Sequence, residues 1–97
     1  MATTDSVLLI RRKVKIMNEL GLHARPAAEF VRAAHAFRSE IWILKRGARF
    51  SAGSILQILM ADLNCGDTAI IEAKGPDAEK AVARLVGLVR KFAEQDA

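Results

Sequence analysis

The apolar residues of this chain change their spacing again and again over a short length, and that alternation limits the fold. Residues 7–17 are rich in β-branched and aliphatic side chains and predict a strand. Ala27, Phe30, Val31, Ala34 and Phe37 then recur at helical spacing, one apolar stripe over 24–37. Residues 40–45 and 48–51 read as two strands joined by a tight Arg46-Gly47 turn. Ser54 suits an N-cap before the apolar run 55–63. Residues 67–73 form a fourth strand, ended by Lys74-Gly75. Pro76 and Asp77 open a last helix whose inner face is Ala81, Val82, Leu85, Leu88, Val89 and Phe92. Elements with one apolar face must bury it against another element. The order βαββαβα therefore predicts an α+β open-faced sandwich, a four-stranded, mainly antiparallel sheet covered on one face by three helices.

Ninety-seven residues accommodate one such domain, 1–97, with residues 1–6 expected to fray. The 52% hydrophobic, 27% charged composition is that of a folded chain rather than a disordered one. No apolar run approaches the ~20 residues needed to cross a bilayer. Val7-Leu8-Leu9-Ile10 is too short for a secretory signal, and Arg11-Arg12-Lys13 follows it rather than precedes it, so a cytoplasmic location is expected. One cysteine, Cys65, forms no internal disulfide and reads as a small residue in the Asn64–Asp67 turn. Formal charge +4 favours anionic partners without choosing among phosphate, nucleic acid and acidic protein. The basic run alternates, Val14 and Ile16 on one face and Lys13 and Lys15 on the other, as a solvated strand would. Phe30, Phe37, Trp42, Phe50 and Phe92 do not form an interleaved stacking surface, which argues against nucleic acid.

The chemistry concentrates in Gly21-Leu22-His23-Ala24-Arg25-Pro26-Ala27. His23 falls where a glycine loop meets a helix start. A helix start presents unpaired N–H groups and a positive dipole end, a ready anion site. A neutral imidazole there can attack phosphorus near physiological pH. Arg25, two positions on, can form charge-assisted hydrogen bonds to the transferred group. On spacing alone, a histidine at a helix start is also an ordinary N-cap or surface residue. His35 lies within the first helical stripe without a glycine loop and receives no catalytic role. The two histidines stand twelve positions apart with no carboxylate cluster, so no metal site is expected.

That seven-residue segment resembles the active-site signature of HPr, the histidine-containing phosphocarrier of the phosphoenolpyruvate-dependent phosphotransferase system (PTS). Ala28-Glu29-Phe30-Val31, Ser39-Glu40-Ile41, Ser54 and Lys80-Ala81-Val82 resemble family segments at similar spacings. The likeness extends over residues 14–92, and the family's element order is the one read above. The resemblance implies that phosphorylated enzyme I passes a phosphoryl group to Nδ1 of His23, which gives it to an enzyme IIA domain. Arg25 would neutralise the phosphate, with the backbone of Ala24 and Arg25 cradling it. The chain would be a carrier rather than an enzyme, a monomer without metal or organic cofactor. The resemblance also implies regulatory phosphorylation of Ser54 by an HPr kinase/phosphorylase, and docking through Leu22, Arg32, Ile55, Leu56 and Leu59. At ~100° per residue Leu56 points away from Ile58, so a helix lying on a sheet cannot bury both. Two departures stand out: Gly53, where many sugar-system members carry lysine, and Leu20, where the family often has a small polar residue. With Gln57, often lysine or glycine in the family, Gly53 keeps a regulatory carrier in view beside one that serves sugar uptake.

Overall fold

The computed structural model describes residues 8–95 and contains β1 (Leu9–Lys15), α1 (Ala24–Ala34), β2 (Glu40–Lys45), β3 (Ala48–Ser51), α2 (Ile55–Met60), β4 (Thr68–Lys74) and α3 (Ala78–Gln95). The sheet order is β1-β4-β2-β3, and every neighbouring pair is antiparallel. The expected α+β sandwich is thus observed, with a wholly antiparallel sheet. The expected fraying of residues 1–6 and the start of the first strand at Val7 lie outside the described residues.

Strand alternation divides the sheet. Val14, Ile41, Ile43, Ala69, Ile71 and Ala73 turn inward and meet Phe30, Ile58 and Leu85 of the helices in one core. Arg11, Lys13, Trp42, Leu44, Ile70 and Glu72 share the other face by register. There Arg11 Nε pairs with the buried Glu72 carboxylate at 2.5 Å, and the Arg49 guanidinium stacks 3.9 Å from the Trp42 ring centroid. Trp42 is therefore the platform of a single outer-face stack.

Two helices stop earlier than their periodicity suggests, for local reasons. After Ala34 the backbone tightens, with Ala36 N–H donating to Ala33 and Phe37 N–H to Ala34 at 3.1 and 3.2 Å. Phe37 still packs on the core, so the apolar stripe outlives the α-helix. The second apolar run breaks at Asp62, whose φ of 53° is left-handed. Lys45 Nζ donates to the carbonyls of Ala61 and Asp62 and pairs with Asp67 at 2.9 Å, holding this break. The Arg46-Gly47 turn has positive φ at both residues, 51° and 83°, as a two-residue hairpin requires.

Asp77 ends the β4–α3 connection but ties down the connection from α1 to β2. Its carboxylate accepts from the Ser39 hydroxyl at 2.6 Å and from the Ser39 and Arg38 N–H groups at 2.9 Å. The Ser39 hydroxyl, then the Arg38 N–H, holds the Asp77 carboxyl below the usual carboxylate range. Asp67 is lowered in the same way, first by Lys45 and then by the Asn64 N–H. Because both folded values are depressed, the stability they contribute is present above the unfolded value of about 3.9 and is lost as pH falls through the folded values. Asp77→Asn should lower the melting temperature at pH 7 and flatten its decline as pH falls below the unfolded carboxylate value of about 3.9. Circular dichroism melts across that range check this; a variant as acid-sensitive as the parent would contradict the assignment.

Candidate functional site

The loop from β1 to α1 is fixed mainly by its backbone. Gly21 stands at φ +67°, and a Cβ on it would lie 2.3 Å from the Leu63 carbonyl oxygen. The next N–H, of Leu22, donates to that oxygen at 2.8 Å. Buried Asn18 closes the loop from the other side, its Nδ2 donating to the Gly21 carbonyl at 2.5 Å. The loop is therefore tied without a polar side chain at position 20. Leu20 itself is 68% exposed.

This clamp delivers His23 to the mouth of α1 as its N-cap, with extended backbone (φ −78°, ψ −169°) and no capping bond from its side chain. The imidazole, half-buried, is left available while its carbonyl accepts from Ala27 N–H at 2.9 Å. Pro26 has no N–H, so the first-turn donors without a helical partner are those of Ala24 and Arg25. No acidic residue occupies this turn, and Arg25 is exposed. His23, Arg25 and Pro26 open onto a groove of about 250 Å³ completed by Glu29, Phe92 and Gln95. Glu29 and Gln95 were missed in the sequence. Glu29 carries a faint signal, four positions after Arg25 on one helix face. Gln95 carries none, because only the packing of α1 on α3 brings it there. A half-buried nucleophile that opens onto a groove, two N–H donors and a cation can accept and stabilise a small phosphoryl group. Among the described residues, no group of three or more His, Cys, Asp or Glu side chains is placed to hold a metal, and no helix is long and apolar enough to cross a membrane.

The other expected site residues divide by exposure. Ile58 is fully buried while Leu56 is 65% exposed, with Ile55, Leu59 and Met60 exposed around it. Arg32 is exposed at the end of α1, which packs on α2. Leu22 does not join this surface. It is 4% exposed, drawn into the core by the N–H bond to Leu63, so it positions the loop and offers no docking side chain. Ser54 is the N-cap of α2: its Oγ accepts from Gln57 N–H at 3.2 Å, while Gln57 Oε1 accepts from Ser51 N–H at 2.7 Å. His35 is not inside α1 but caps its C-terminus, and its Nε2 bonds the Gly53 carbonyl at 2.9 Å. It joins the end of α1 to the turn before Ser54.

Residues 10–91 match a family described as the PTS HPr component phosphorylation site. The chain is 40% identical over 81 residues to the phosphocarrier protein HPr of Vibrio cholerae, covering 84% of this chain and 95% of that one. It is also 40% identical over 86 residues to the phosphocarrier protein NPr of Shewanella violacea, covering 88% and 94%. Among solved structures, HPr-C-His from Thermoanaerobacter tengcongensis superposes with a TM-score of 0.86 at 35% identity, over 91% of this chain and 99% of that one.

The two glycines differ in what they tolerate. Gly21→Ala should cost about 1–3 kcal/mol from backbone strain alone, and more from the Leu63 overlap, in urea unfolding. At Gly53 an added Cβ meets Ser51 Oγ and His35 Nε2 at ordinary distances of 3.5 and 3.6 Å. Gly53→Lys should therefore fall within about 0.5 kcal/mol of the parent.

Proposed function

This chain belongs to the HPr family of PTS phosphocarriers, and from that premise we propose that His23 takes a phosphoryl group from phosphorylated enzyme I and passes it to enzyme IIA domains. The family makes it a carrier in a relay rather than an enzyme. The observation that carries the residue assignment is the imidazole at the N-cap of α1, not spent on capping its own helix. In the forward step a ring nitrogen lone pair forms the P–N bond as the bond to the donor breaks. Charge on the phosphoryl oxygens meets the Ala24 and Arg25 N–H groups and the Arg25 guanidinium. The reverse displacement on the acceptor releases the imidazole unchanged. Exposed Ile55, Leu56 and Leu59, with Arg32 nearby, supply an apolar surface for the partners.

Ser54 is proposed as a regulatory phosphorylation site for a kinase of the HPr kinase/phosphorylase type. A phosphate there would replace a neutral N-cap by a dianion beside Ile55 and Leu56, favourable to the helix end and obstructive to docking of an acidic partner. A second reading, a regulatory carrier whose output is protein binding, is favoured by the equal 40% identity to HPr and NPr relatives and by Gly53 in place of the frequent lysine.

Incubation with phosphoenolpyruvate and enzyme I should give acid-labile phosphate on the parent and none on His23→Ala; persistent labelling of that variant would sink the assignment. Arg25→Ala should fold normally and slow transfer by roughly 10²-fold, read by rapid-quench labelling. Phosphate transfer rates to sugar-specific and nitrogen-related enzyme IIA proteins, measured side by side, separate the two readings.

A further inference from the structure

β1 is an edge strand of seven residues, and its free side is chemically defined. Ile16 N–H donates to Asp67, and Ile16 and Leu8 accept from Gly66 and Gly75, so the even-numbered residues turn their backbone groups toward β4. In an antiparallel ladder the alternate residues point theirs the other way. The N–H and C=O groups of Leu9, Arg11, Lys13 and Lys15 therefore face outward along the sheet edge.

A groove of about 250 Å³ runs beside this edge, between β1 and α3. Its floor is apolar, made by Val14, Val86 and Val89, with Met17 at one end. Lys13, Lys15 and Arg90 also line it, and none of its described lining residues carries a carboxylate. Arg11 lies on the same outer row but is engaged by Glu72.

We infer that this edge binds an extended acidic peptide as a fifth strand, lodging its aliphatic side chains in the Val14–Val86–Val89 groove. A strand's side chains alternate, so one row would lie over α3 while the other stands level with Lys13 and Lys15. The fitting sequence therefore alternates acidic and aliphatic residues, and main-chain bonds to Arg11, Lys13 and Lys15 supply the register. Lysines on an edge also discourage pairing, but they do so by sign. A second copy of β1 would set cationic rows opposite each other, which is unfavourable, whereas an acidic strand is drawn in. The surface lies apart from the groove that holds His23 and is independent of its chemistry.

The test uses the full ¹⁵N-labelled chain and a capped nine-residue peptide alternating glutamate with valine and threonine. Saturating peptide should slow amide exchange at Arg11, Lys13 and Lys15 by at least about tenfold and leave Arg12 and Val14 unchanged. Replacing the glutamates by lysine, or N-methylating the peptide amides that face β1, should abolish the effect. Lys13→Glu with Lys15→Glu should weaken binding roughly tenfold or more while phosphorylation of His23 proceeds as in the parent. Binding without slowed exchange at the odd-numbered amides would overturn the inference, as would no binding at millimolar peptide. Protection of those amides in the protein alone, with dimers seen by sedimentation, would assign the edge to a second copy instead and overturn it too.

Discussion

A single carbonyl oxygen, that of Leu63, organises the end of the molecule that carries His23. It receives the Leu22 N–H at 2.8 Å and sits where any side chain on residue 21 would have to go. The loop leading into α1 is thereby pressed against the connection that leaves α2. Lys45 stiffens that connection from behind through the Ala61 and Asp62 carbonyls and Asp67. The position of His23 relative to the apolar surface of α2 is thus set by backbone contact between two loops, not by contact between the histidine and α2. A bond between main-chain groups is indifferent to which side chains decorate the surface, so loops of this kind can vary at position 20 while keeping the geometry.

The site is shallow and the core beneath it is not. Ala27, Phe30 and Ile58 are fully buried directly behind residues that remain exposed. This division gives a rigid base with a soluble, partly apolar face, which suits successive encounters in which no partner stays. His35 adds a second tie, from the far end of α1 to the Gly53 carbonyl. The two ends of α1 are therefore fastened to the two ends of α2 through different loops, and the helices hold a fixed relation although the contact between them is short.

Much of this was legible in the sequence because local and tertiary demands agree. All seven elements, the glycine loop, His23 at a helix start and Ser54 as an N-cap follow from spacing and turn chemistry. The misreadings share one cause, a side chain whose burial depends on residues far along the chain. Phe37 kept the helical rhythm but belongs to a tighter turn. Leu63 extended the apolar run of α2 but is reached only after Asp62 reverses the backbone. Leu22 sits in the signature yet turns inward because Leu63 holds its amide. Glu72, which received no reading of its own in the fourth strand, is buried under Arg11, its partner across the sheet register. Gln95, sixty or more positions from His23, has no local mark at all. Periodicity reports the nearest turn of backbone; it is silent about which distant element completes a surface.

Pro26 has a quieter consequence. By lacking an amide hydrogen it leaves the mouth of α1 with two donors where an ordinary helix would offer three before the first internal bond. On the proposed reading, such a mouth grips a phosphoryl group lightly. An intermediary gains nothing from tenacity, since every increment of affinity for its cargo would have to be surrendered at the next exchange. On that reading, the missing hydrogen weakens the hold on the loaded group and favours its release to the next partner.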